Sequence, residues 1–157
     1  MHNDYINIYN NLVKLTRNKS LYLSLKNNDT FSDRLIVLLF HFAFFLKIYK
    51  DVISKKEAQV IFDSFIRQIE LSIREIGYGD VSVNKKMKEY VNLFYTILEK
   101  IETWEFLDNN KKIETIANFI NIDEDNDKFV NYFDKYREFI SNNSLKNFTK
   151  DILEFKF

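Results

Sequence analysis

The sequence predicts an all-α protein: one helical bundle of about six to eight helices spanning residues 1–157. Two features of the composition and one of the patterning lead there. Proline is absent and glycine occurs only at Gly77 and Gly79, whereas chains rich in strands and tight turns draw on both. Apolar residues recur three and four positions apart along almost the whole chain, the spacing of a helix face. Connections between these runs are short, and neither a low-complexity linker nor an internal repeat divides the 157 residues, so one domain is expected.

Taken in order, Tyr5, Ile8, Tyr9, Leu12 and Val13 mark a first helix. Leu21 to Leu25 alternates apolar and polar residues, an ambiguous pattern whose position suits a helical continuation. Thr30, with Asp33 three residues on, reads as the cap of a helix reaching about Tyr49. That helix is apolar nearly all round and is therefore expected at the centre of the bundle. Ser54-Lys55-Lys56-Glu57 is a capping-box sequence, and Ile61, Phe62, Phe65, Ile69, Ile73 and Ile76 follow on one face up to a stop at Gly77. Asp80 or Ser82 is the expected cap of the next helix, whose stripe runs through Met87, Tyr90, Val91, Phe94, Leu98, Ile101 and Trp104. Shorter helices are expected around Ile113–Ile120, Phe129–Ile140 and, capped by Ser144, Leu145–Phe155.

Bulk properties exclude whole classes of chemistry. Cysteine is absent, which removes disulfides, thiol nucleophiles and Cys-ligated zinc. Basic and acidic groups balance at 23 each, so no overall electrostatic footprint for DNA exists. The longest apolar run, Leu35 to Leu46, is interrupted by His41 and falls short of the ~20 residues of a membrane span. No signal or transit segment is read at the N-terminus, and a cytoplasmic location is expected. Aromatics make up 17% of the chain; such rings fill a core and, in excess, line grooves for apolar partners.

No constellation reads as catalytic or metal-binding, and no cofactor is expected. Asp123, Asp125, Asp127 and Asp134 fall at EF-hand spacing, but Lys128 stands where the loop needs glycine and Asp134 where it needs a bidentate glutamate. An acidic helix start is the expected reading. Gly77-Tyr78-Gly79-Asp80 lacks the remaining features of a phosphate loop. Asn84-Lys85-Lys86-Met87-Lys88 puts cations into what reads as a first helical turn, against the helix dipole. Either this is a solvated face, or it contacts RNA, anionic lipid head groups or an acidic partner.

These segments together resemble the ubiquinol–cytochrome c chaperone family. Its central motif, a helix ending in Arg-Glu-Met-Gly-Val-Gly-Asp followed by Leu-Ser-Val-Pro-Lys, is matched by Arg74-Glu75-Ile76-Gly77-Tyr78-Gly79-Asp80 and by Val81-Ser82-Val83-Asn84-Lys85. A second block is similar at Asp29-Thr30, Asp33-Arg34 and Phe40-His41, with Tyr9, Arg17 and Tyr22 before it and Phe94-Tyr95 after. Asn84 replaces the usual proline, Asp33 the usual glycine, and Thr96-Ile97 a Gly-Arg pair. The resemblance implies an all-helical, cofactor-free chaperone of a bacterial type that binds newly made cytochrome b. It further implies a small helical partner protein and a place near the ribosome or an anionic membrane surface. Gly79, Asp80, Lys85, Lys86, Met87 and Lys88 are the candidate partner-binding residues, and Asp29, Arg34 and His41 are family-motif positions of open role. Two other readings stay open: a helical scaffold or regulatory module with a non-respiratory client, and an enzyme or small-ligand binder using Asp29, Arg34 and His41.

Overall fold

The computed structural model describes residues 2–23, 25 and 30–149, with side chains from Tyr5 onward. The described residues form α1 (His2–Thr16), α2 (Lys19–Tyr22), α3 (Phe31–Tyr49), α4 (Lys55–Glu75), α5 (Asp80–Ile101), a 3-10 turn (Trp104–Phe106), α6 (Asn109–Ala117), α7 (Lys128–Ser141) and α8 (Leu145–Phe148). They pack as one bundle around α3, which is flanked by α1, α5 and α7; α4 rests on α1 and α5, and α6 on α7.

The helix expected at the centre is there. Every residue from Val37 to Phe45 is buried, which a helix reaches only when neighbours enclose all its sides. Its phenylalanines divide those neighbours among themselves. Phe42 stacks on Phe65 of α4 at 3.8 Å and lies 5.2 Å from Phe94 of α5. Phe40 and Phe44 meet Phe133 of α7, at 5.5 Å and 5.3 Å, and Phe44 also meets Trp104 edge-on. Phe45 meets Phe148 of α8. Each such side chain contributes roughly 1.5–3 kcal/mol on burial, so these rings fix the relative placement of four helices. Most of the aromatic excess is thus consumed by the core.

Helix ends follow local chemistry. Thr30 Oγ1 accepts from the Asp33 amide at 3.1 Å, and Ser54 Oγ from the Glu57 amide at 3.0 Å. Asp108 caps α6 in the same way, accepting from the Lys111 amide at 2.8 Å. The cap expected at Asp80 or Ser82 lies one residue earlier, at Gly79, which offers no side chain. Asp80 is the first helical residue, and its carboxylate turns back to the Arg74 guanidinium at 2.5 Å. The stripe expected to run on to Trp104 stops helically at Ile101, where Lys47 of α3 donates to the carbonyls of Ile101 (2.9 Å) and Glu102 (2.7 Å). A lysine from a neighbouring helix thereby satisfies carbonyls that α5 leaves open. Ser144 stands at the start of α8 without a side-chain cap bond. Of the helix expected up to Phe155, Leu145–Phe148 is helical and Thr149 follows as its C-cap, while 150–155 lie outside the described residues. Among the described residues, no helix is long and apolar enough to cross a membrane.

Gly77 has φ +104°, and nothing lies within 4 Å of where its Cβ would be. Gly77→Ala therefore meets backbone strain and no clash. It is expected to cost about 1 kcal/mol and to lower Tm by about 2–4 °C, measurable by calorimetry. An unchanged Tm would contradict the left-handed stop.

Candidate functional site

The surface feature of most consequence is the hairpin of α4 and α5. Both helices carry a buried edge, Ile61, Phe65, Ile69 and Ile73 on α4 and Val83, Phe94, Ile97 and Ile101 on α5. Because α4 turns its edge chiefly to α1 and α5 chiefly to α3, their outer faces do not close on each other. A groove of about 640 Å³ is left between them, with Ile66, Met87 and Val91 among its lining residues. Asp63, Arg67, Glu70 and Lys88 also line it, giving two charges of each sign. Arg67 pairs with Glu70, and Arg74 approaches the same carboxylate at 3.6 Å.

At the closed end of the hairpin stand Ile76, Tyr78 and Val81, all exposed. The Lys86 ammonium sits 4.7 Å above the centre of the Tyr78 ring. The six candidate partner-binding residues therefore fall into separate environments. Met87 and Lys88 belong to the groove. Gly79, Asp80 and Lys86 belong to the tip, while Lys85 is exposed to solvent. Because α5 begins at Asp80, the three lysines occupy its second and third turns and not its first, as the sequence reading had them. The dipole field fades beyond the first turn, so the lysines carry no such penalty.

The second motif block is taken apart by the fold. Asp29 lies outside the described residues. Arg34 is exposed and helps line a pocket of about 200 Å³ together with Arg17, Tyr9, Phe31 and Ser72. His41 does not line it. Its ring is fully buried, with Nδ1 2.8 Å from the Val37 carbonyl and Nε2 2.5 Å from the Tyr132 hydroxyl. A carbonyl only accepts, so Nδ1 carries the proton and Nε2 accepts from Tyr132 O–H. Burial pushes the imidazole pKa down from 6.5 to about 4, against the raising effect of the Val37 hydrogen bond. Tyr136 completes the surround by donating to the His41 carbonyl at 2.9 Å. His41 is thus a neutral, satisfied core histidine.

The EF-hand-like spacing also dissolves. Asp134, at the twelfth position, accepts from Trp104 Nε1 at 2.8 Å and pairs with Lys112 at 3.2 Å, tying α7 to the 3-10 turn and α6. Among the described residues, no group of three or more His, Asp or Glu side chains is placed to hold a metal ion.

Several important residues escaped the sequence reading. The α4 wall of the groove, Asp63, Ile66, Arg67 and Glu70, was not anticipated; Ile66, beside the main stripe of α4, was its one sequence signal. Lys47, only 12% exposed in its side chain, reads in sequence as an ordinary end-of-helix cation. Tyr132 and Tyr136 stand 91 and 95 residues from His41, and no local pattern announces such a pairing.

Residues 23–106 match the model of the family described as ubiquinol-cytochrome C chaperone. That span is more than half of the 157 residues. The chain belongs to this family. No curated protein and no solved structure matches it. The chaperone-family span contains α3, α4 and α5 entire, hence both walls of the groove and the tip, while α7, which supplies the tyrosine partners of His41, lies beyond it.

Stability should report on His41. The unfolded chain takes up the proton near pH 6.5 and the folded chain only near pH 4, so stability is complete above pH 6.5 and falls as pH drops. Between pH 6.5 and about 5, urea titrations should show a loss of about 2 kcal/mol; a flat profile would contradict a neutral buried imidazole. Tyr132→Phe leaves Nε2 unsatisfied and should cost about 1–3 kcal/mol at pH 7.5.

Proposed function

We propose that this chain is an assembly chaperone that holds newly made cytochrome b while the bc1 complex is built, and that the α4–α5 face receives the client. Membership of the ubiquinol-cytochrome C chaperone family carries this reading, because the matched residues enclose both walls of the groove.

The chemistry of the face suits transient holding. Ile66, Met87 and Val91 offer apolar surface, and methionine adapts its shape to irregular partners. The mixed charges beside them contribute little binding energy in water and are screened by salt. Such a surface gains affinity from the area it covers and loses to the entropy of ordering side chains. Release then needs no chemical step. His41 and Asp134, the residues whose types invite chemistry, are engaged away from this face.

Deleting the gene should lower cytochrome b and bc1 activity and leave terminal oxidase activity near normal. Complementation with Ile66→Ser, Met87→Ser or Val91→Ser, each verified as folded by circular dichroism, should restore function in part. The triple variant should resemble the deletion. Normal cytochrome b in the deletion strain would sink the assembly reading; full rescue by the folded triple variant would sink the assignment of the face.

A further inference from the structure

The apolar residues at the hairpin tip lie where turns ordinarily carry polar ones. Ile76 is 50% exposed, Tyr78 42% and Val81 86%, within six consecutive residues. Single exposed apolar side chains are ordinary; three around one glycine turn, with cations beside them, are not. Residues 74–88 hold four basic side chains, Arg74, Lys85, Lys86 and Lys88, against two acidic ones, Glu75 and Asp80. Asp80 is committed to Arg74. A lysine that covers an aromatic ring, as Lys86 covers Tyr78, keeps its stem on apolar surface and its ammonium in water.

We infer that this tip docks on an anionic lipid bilayer, with Ile76, Tyr78 and Val81 entering the headgroup boundary and Lys85 and Lys86 facing lipid phosphates. The aliphatic residues gain by leaving water at that depth, and tyrosine favours the interface for its mixed character. The lysines add attraction that salt weakens. Nucleic acid fits less well. Val81 and Ile76 offer nothing to a phosphate backbone, and one face of the Tyr78 ring is already covered by Lys86, which hinders base stacking. The inference extends the client reading, since a membrane-protein client is met at a bilayer, but its test stands apart.

The full chain should be floated with vesicles of phosphatidylcholine alone and of equal parts phosphatidylcholine and phosphatidylglycerol. Binding to the anionic vesicles is expected to be at least about tenfold tighter than to the neutral ones and to weaken with added salt. The combined variant Ile76→Ser, Tyr78→Ser, Val81→Ser and the combined variant Lys85→Glu, Lys86→Glu should each lower binding about tenfold or more. Both should keep the wild-type far-ultraviolet dichroism, since they alter outward-facing groups. Absence of flotation with anionic vesicles overturns the proposal, as does flotation indifferent to the apolar variant. Tighter binding to a structured RNA, lost in the lysine variant and kept in the apolar one, overturns it in favour of nucleic acid. Failed flotation in a chain whose deletion still depletes cytochrome b removes the docking and leaves the chaperone. Flotation as expected with normal cytochrome b in the deletion strain does the reverse.

Discussion

A helix with nine consecutive buried residues, Val37 to Phe45, can exist in water only if other elements enclose it. The rest of the chain is arranged to meet that demand. α1, α5 and α7 take its sides, while α4 and α8 reach it through Phe65 and Phe148. Burial on this scale also encloses polar atoms that must find partners. His41 finds them in the Val37 carbonyl behind it and the Tyr132 hydroxyl on α7. The family-matched span supplies the central helix, and the C-terminal third supplies part of its cover.

Enclosing α3 has a consequence for the surface. With α5 committed to α3 and α4 to α1, the α4–α5 hairpin is left with outer faces that do not meet. The groove is therefore a product of how the core is satisfied and not of a separate loop or insertion. Its surroundings are well anchored: the Asp80–Arg74 pair braces the turn at one end of α5, and Lys47 closes the other. A face held on two long helices is preorganised, and preorganisation lowers the entropic cost of any association there.

Much of this was legible because its causes are local. Thr30 and Ser54 cap the helices they were expected to cap, and Gly77 stops α4 with a positive φ. The central position of α3 follows from its apolar periphery. What escaped depends on choices made by distant residues. Asp80 looks like a cap by type, yet its carboxylate bonds to Arg74, six residues back, and α5 is capped from Gly79, which leaves even Lys85 beyond the first turn. Trp104 continues the stripe by spacing but leaves the helix, its indole bonded to Asp134. The lysine cluster reads as one patch in sequence, but helical geometry sends Met87 and Lys88 to the groove and Lys86 to the tip. Apart from Ile66, the α4 wall of the groove left no sequence signal, because a groove is a relation between two helices.

The claim on which the account rests is that a client meets the chain in the α4–α5 groove, and proximity during biogenesis tests it most directly. A photo-crosslinking residue placed at Val91, in the groove, and one placed at Asn131, exposed on α7, can be compared in cells making new cytochrome b. A client received in the groove gives a cytochrome b adduct from position 91 and little or none from position 131. Equal yields from the two positions, or an adduct from 131 alone, would contradict it.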